Sequence, residues 1–261
     1  MIIINELESI IKKYFSKDSK AIAYSAVDEK EFNEVIHNMQ QFERPDIIAV
    51  LDDKIIAIEH FEFDSFKHTK KGSDYRFQEF ILQHQFENKV QENISNSKDI
   101  MSSSEIKGTT TLKQYYDNFK KNLESHIESI PEYEENIKNY DEKFKNKEIE
   151  YWFFIEDVSP LGSYYYRKTN SSLSLLLPFS KDIIDFLKKH KELKRIILGI
   201  YAMDEYKLVI MNNDDKTLNE MMNNKYFDVD ESEFQVITPN IIDFALIVPK
   251  EELKEVDKNE W

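Results

Sequence analysis

Within residues 43–73, ERPDIIAVLDDKIIAIEHFEFDSFKHTKKGS, two carboxylates and a cluster of amines fall close together in the chain. Asp46 follows Pro45, and after twelve intervening residues Glu59 closes the apolar run Ile55, Ile56, Ala57, Ile58. Two carboxylates on adjacent antiparallel strands can share one hard divalent cation, usually magnesium, which keeps several waters in its octahedral shell. Such an ion lowers the pKa of a bound water and steadies the charge that grows on a phosphodiester in the transition state. A nearby lysine helps to orient or deprotonate that water. Lys67, Lys70, Lys71 and Arg76 stand against the single Asp74, a basic island in an acidic chain where backbone phosphates would dock. Gly72 and Ser73 could add backbone N–H groups turned toward an anion.

The elements that must position these groups are readable from pattern. Proline resists continuing a helix, so Pro45 closes what precedes it, and DIIAV reads as a buried strand of branched residues. Asp52 and Asp53 make a tight turn and KIIAIEHFEF returns as a second strand, giving a hairpin with acids on both arms. Two helices precede it. Residues 5–15 carry Leu7, Ile10, Ile11 and Phe15 at helical spacing; residues 28–41 carry Phe32, Val35, Ile36 and Met39, with Asp28 as N-cap and Glu31 as its capping-box partner. Phe77, Phe80, Ile81 and Phe86 predict a helix running to about Glu92 after the hairpin.

The polar stretch NISNSKDIMSSSEIKGTTT then reads as a loop. Beyond it, Leu112, Tyr116, Phe119, Leu123, Ile127 and Ile130, then Tyr133, Ile137, Tyr140 and Phe144, recur at steps of three and four, with Pro131 marking a fresh helix start. This is a helical insertion at about 110–147, read either as an amphipathic segment packed on the core or as an arm for a homodimer or protein partner. IEYWFFIEDV is a strong strand, Ser180 caps a helix through His190, KRIILGIYAM and YKLVIMNN form a strand pair, and DFALIVP is a last strand. The acid pair Glu156 and Asp157 reads as a loop start, and Asp214 and Asp215 as a turn and helix cap. The expected fold is α/β, a mixed central sheet flanked by helices, in one domain over 1–261 that carries the insertion.

The order Pro45-Asp46, apolar strand, Glu59 resembles the motif of the PD-(D/E)xK phosphodiesterase superfamily, and PDIIAVLDDKIIAIEHF is similar to the corresponding hairpin of archaeal Holliday-junction resolvases. The resemblance implies a restriction-endonuclease-like core, Mg²⁺ or Mn²⁺ as cofactor, and Asp46 and Glu59 as metal ligands and catalytic residues. It also implies a supporting carboxylate from the preceding segment, with Glu43 favoured and Glu34 and Glu31 as alternatives. One position departs from the pattern: the lysine expected two residues after Glu59 is Phe61. Lys71 and Lys70 in the following loop are the replacements this implies. Lys67 in the same loop and Gln83 and Gln85 on the following helix are further candidates, and His60 ranks below Lys71 and Lys70, since strand alternation points it to the opposite face.

Composition narrows the remaining classes. A hydrophobic fraction of 41% and 13% aromatics suit a globular chain rather than a disordered one. A net charge of −15 argues against a lysine-coated nucleic-acid binder, so a polyanion must be met locally, at Lys67, Lys70, Lys71 and Arg76. Without cysteine, disulfides and thiolate metal sites are excluded. Four glycines and no phosphate-loop, dinucleotide or nucleophile-elbow motif set aside nucleotide motors and common serine hydrolases. The six histidines lack H-E-x-x-H spacing. The N-terminal apolar run is too short for a signal peptide, and no stretch is long enough to span a membrane, so a cytoplasmic protein without a membrane partner is expected. The leading functional expectation is a metal-dependent nuclease acting on DNA before RNA. The alternatives are a catalytically inactive scaffold of the same fold used for protein interaction, and an acidic mimic of nucleic acid suggested by charge alone.

Overall fold

The computed structural model of the chain describes residues 9, 22–23, 28–66, 68–69, 72–93, 100–159, 165–167, 174–176, 179–202, 205–223 and 235–246. In chain order the elements are β1 (Ile22–Ala23), α1 (Glu29–Asn38), β2 (Met39–Gln41), β3 (Ile47–Val50), β4 (Lys54–Phe63), β5 (His68–Thr69) and β6 (Gly72–Ser73). There follow α2 (Asp74–Asn93), β7 (Ile100–Thr111), α3 (Leu112–Glu128), α4 (Ile130–Tyr140), a 3₁₀ turn (Glu142–Phe144) and β8 (Glu148–Asp157). The chain continues through β9 (Tyr165–Arg167), β10 (Ser174–Leu176), α5 (Lys181–Leu187), β11 (Leu193–Ala202), β12 (Glu205–Asn212), α6 (Asp215–Asn223) and β13 (Gln235–Leu246). The helix expected over 5–15 lies outside the described residues except for Ser9, which is helical. Two compact units form, Met1–Ser65 with Leu112–Phe234, and Phe66–Thr111 with Gln235–Trp261.

The first unit is built on a seven-stranded mixed sheet in the order β1-β12-β11-β8-β4-β3-β2, the α/β architecture that the sequence predicts. β4, β8 and β11 run parallel, while β2, β3 and β4 form an antiparallel meander and β11 and β12 an antiparallel pair. Parallel central strands are buried on both faces and so read as unbroken apolar runs. Ile55 to Ile58, Trp152 to Ile155 and Ile196 to Leu198 are such runs, each residue at most 1% exposed.

Helices supply the two covers. Phe32 and Val35 of α1 pack with Ile47, Ala49, Ile56, Ile58, Trp152, Phe154 and Ile197 on one face. On the other, Tyr115 and Phe119 of α3 set their rings edge-on to Phe63, with centroids at 5.1 and 5.2 Å. Because strand side chains alternate, even-numbered residues of β4 face α1 and odd-numbered ones face α3. Glu59 and Phe61 therefore share a face with Phe63. The apolar stripe of the 110–147 segment is spent on this sheet: Phe119, Leu123, Tyr133 and Ile137 are at most 1% exposed. Pro131 sits in the first turn of α4, where its missing N–H has no helical acceptor to lose.

α1 starts as expected at Asp28, whose Oδ1 accepts the Lys30 N–H at 2.9 Å. It stops at Asn38 rather than reaching residue 41, because Met39 to Gln41 pair with β3 as an edge strand. The capping box does not form. Glu31 instead accepts from Lys54 Nζ at 3.1 Å and pairs with Arg195 at 3.0 Å, while Lys54 also reaches Glu150 at 3.1 Å. Burial works against the Lys54 ammonium, but its bonds to Glu150 and Glu31 outweigh that and hold its pKa above the ordinary value. The Arg195 guanidinium lies 4.2 Å from the Trp152 ring centroid and 4.9 Å from that of Phe32, a cation over two aromatic faces.

The second unit holds a twelve-residue antiparallel ribbon of β7 and β13, in register from Ile100↔Leu246 to Thr111↔Gln235, with α2 packed on it. The residues from Ile100 to Thr111, expected as loop, are thus a strand. β-Branched threonine suits a pleated surface, and a partner more than a hundred residues away leaves no local signature. Phe66 stacks on Tyr75 in this unit, 4.6 Å between centroids and 11° between planes. Among the described residues no helix is long and apolar enough to cross a membrane.

Candidate functional site

β3 and β4 pair from Ile47↔Ile58 to Val50↔Ile55, and the Leu51 N–H closes the turn on the Lys54 carbonyl at 2.9 Å. Extending that register by one residue sets Asp46 opposite Glu59, with both side chains on the α3 face. The His60 N–H donates to Asp46 Oδ2 at 2.8 Å and fixes the first carboxylate against the second strand. Burial pushes the Asp46 pKa up and the Glu59 charge adds to it; the bond from the His60 amide and the His60 and His126 rings pull the other way and do not cancel the rise. Like charges directly opposite one another destabilise a strand pair. This hairpin carries two of them in a partly buried place.

α3 brings a third group. His126 Nδ1 lies 3.1 Å from Glu59 Oε1, with 24% of the histidine side chain and 14% of the glutamate side chain exposed. The imidazole is stacked flat on Phe61, centroids 3.9 Å apart and planes within 6°. Phe153 closes the cluster edge-on to Phe61 at 5.6 Å. From α4, Tyr133 comes close enough to Glu59 to feel its charge; burial and then the Glu59 charge hold the phenol pKa well above its ordinary range. Glu59 thus meets an imidazole, with a phenol nearby, while facing a second carboxylate. The strand position two residues on, where the resemblance calls for lysine, is an aromatic shelf for a histidine.

His126 and Tyr133 are the residues that sequence reasoning missed. Their signal lay in the periodicity: Tyr116, Phe119, Leu123, His126, Ile130, Tyr133 and Ile137 step by three and four, so His126 occupies a position of the apolar stripe. A histidine there must find a polar partner on the sheet. Its identity depends on which sheet residue lies beneath, which the stripe alone does not say.

Lys67, Lys70 and Lys71 lie outside the described residues, and Arg76 is on α2 in the second unit, its N–H reaching Ser73 Oγ at 3.5 Å. Gln83 and Gln85 are on the same helix and exposed. Glu43 is exposed and lines a groove of about 720 Å³ with Gln41, Phe42, Arg44, Glu132 and Tyr140. Glu34 is exposed on α1, and Glu31 is held by Lys54 and Arg195. His60 turns to the α1 face as alternation requires, stacks on Phe154 at 4.9 Å and meets Glu156 Oε2 at 2.9 Å. Asp157 is buried rather than in a loop: it accepts from the Tyr115 hydroxyl at 2.6 Å and the Ser159 N–H at 2.9 Å, and burial pushes its pKa up to about 6. Asp214 caps α6 as expected, accepting from the Thr217 N–H at 2.8 Å. Among the described residues, no group of three or more histidine, aspartate and glutamate side chains is arranged to hold a metal ion.

No family model matches the chain, and no curated protein or solved structure matches it.

Proposed function

We propose that the chain is a metal-dependent phosphodiesterase acting on nucleic acid, DNA before RNA, with Asp46 and Glu59 as the ligands of a magnesium or manganese ion. The observation that carries this reading is the opposed pair Asp46 and Glu59, whose mutual repulsion is met by no lysine or arginine contact among the described residues. The donor set suits magnesium, which is typically held by one or two carboxylates together with substrate phosphates and keeps several waters, so a closed three-ligand protein site is not required. Asp46 offers Oδ1, to which no described residue donates, and Glu59 is oriented through Oε1. When bound, the ion would supply an activated water and charge neutralisation at phosphorus.

His126 takes the place of the motif lysine in this reading. It is a positioning residue: an imidazole N–H on one glutamate oxygen leaves the other for the metal, the arrangement by which outer groups commonly orient metal ligands. Glu43 faces the groove, so the reading rests on two carboxylates. Cleavage of single- and double-stranded DNA and of RNA with Mn²⁺ is the test. Asp46→Asn and Glu59→Gln should each reduce turnover by at least about a hundredfold, and His126→Ala by about ten- to a hundredfold. Activity that survives Asp46→Asn would sink the assignment.

A second reading is a non-catalytic scaffold of the same fold. Phe61, only 8% exposed and stacked under His126, favours it by filling the strand position of the missing amine with an aromatic contact. On that reading the Asp46 and Glu59 variants bind no less metal than the parent, because the parent binds none.

A further inference from the structure

A groove lies beside the hairpin in the first unit. One wall is the end of β2 and its connection to β3, contributing Gln41, Phe42, Glu43 and Arg44; the other is α4, contributing Glu132, Asn136, Asn139 and Tyr140. The helical residues recur at steps of four, three and one, which places them on one face of α4, while Ile130, Tyr133 and Ile137 turn inward. Its volume of about 720 Å³ is that of a small-molecule site.

We propose that this groove holds one unpaired nucleobase of a single-stranded nucleic acid, a proposal that rests on the phosphodiesterase reading for the chemistry of its ligand. Three observations carry it. Tyr140 is 65% exposed, yet its ring is braced edge-on by Phe42 at 5.2 Å and flanked by Phe144 at 6.0 Å. A rigid, exposed aromatic is a stacking platform, and every base has a π-face to offer it. Asn136 and Asn139 add carboxamides, each pairing a donor with an acceptor as base edges do; Asn136 is held in place by its Nδ2 bond to the Arg44 carbonyl at 3.2 Å. Among the described lining residues Arg44 is the one cation against Glu43 and Glu132, a surplus of one negative charge that suits a neutral ring and disfavours a polyphosphate.

Arg44 and Glu132 pair at 2.8 Å with about half of each side chain exposed. Such a pair is weak, so a phosphate can take the place of Glu132 on the guanidinium. The groove adjoins the carboxylate pair through neighbouring residues: Arg44 is two residues before Asp46, and Glu132 precedes Tyr133, which lies close enough to Glu59 to feel its charge. A nucleotide in the groove would lie next to a phosphodiester at Asp46 and Glu59. Stacked duplex bases present no face to Tyr140, so the site selects single strands.

The experiment compares a short fluorescein-labelled oligothymidylate with an abasic strand carrying the same number of phosphates, by anisotropy at low ionic strength with chelator, on the full chain. The wild type should bind the base-bearing strand about tenfold tighter or more. Tyr140→Ala should erase that preference and Tyr140→Phe should keep it. Equal affinity for both strands, binding of neither, or a preference that survives Tyr140→Ala overturns the proposal. So does Tyr140-dependent binding of a neutral oligosaccharide without binding of oligothymidylate. The phosphodiesterase reading is judged apart, by cleavage with Mn²⁺: base preference without cleavage removes that reading alone, and cleavage without base preference removes the subsite alone.

Discussion

At Phe61 the strand puts an aromatic ring where an amine is expected, and α3 lays His126 on that ring so that Nδ1 meets Glu59 at 3.1 Å. The strand amine that would have balanced the two acids is thereby replaced by an imidazole seated on an aromatic ring. In the absence of metal, Asp46 and Glu59 repel one another, and sites of this kind hold back stability in return for function. Asp46→Asn keeps an oxygen for the His60 amide and removes the repulsion; the metal-free variant should be as stable as the parent or up to about 1 kcal/mol more so by urea denaturation. Asp157 provides a pH dependence of known sign. Its folded pKa is pushed up to about 6 from an ordinary 3.8, so the folded chain holds a proton there that the unfolded chain has lost. That contribution is complete below pH 3.8 and is lost as pH rises through about 6, amounting to roughly 3 kcal/mol. Asp157→Asn has no charge to bury and should flatten the stability profile across that window, as followed by the urea midpoint at successive pH values.

α3 and α4 form one wall of the first unit rather than an arm held away from it. Their apolar stripe lies on the sheet, and Leu123, fully buried on α3, should cost about 2–5 kcal/mol as Leu123→Ala, read from the same denaturation curves. A matching loss of metal affinity is expected there, since α3 carries His126. The hairpin, the capped starts at Asp28, Ser180 and Asp214, and the strand runs around Ile55, Trp152 and Ile196 were legible because each is local: a turn, a cap or a periodicity within a dozen residues. The ribbon of β7 and β13 was not, since half of its signal lies at Ile100–Thr111 and half at Gln235–Leu246. Glu31 looked like a capping-box partner by spacing, and was drawn instead to Lys54 and Arg195, cations that only the folded sheet brings near. Within the site, Asp46 and Glu59 were legible as an opposed pair on a hairpin; His126 and Tyr133 were not, because helix-on-sheet register decides which stripe residue lies over Glu59.

Over the whole molecule the net charge of −15 sets the terms on which a polyanion is met. Affinity for nucleic acid drawn from counterion release scales with the number of phosphates neutralised. With Arg44 the one cation among the described residues of the groove, the slope of log affinity against log salt for oligothymidylate should be shallow, on the order of −1 to −2. A slope several times steeper would place the contact on a larger basic surface. All of this depends on what the opposed carboxylates are for. Calorimetric titration of Mn²⁺ into the full chain, with Asp46→Asn alongside, asks that directly. One saturable site in the wild type that disappears in Asp46→Asn is the predicted result; heat of dilution alone in the wild type, or unchanged binding in the variant, would contradict it.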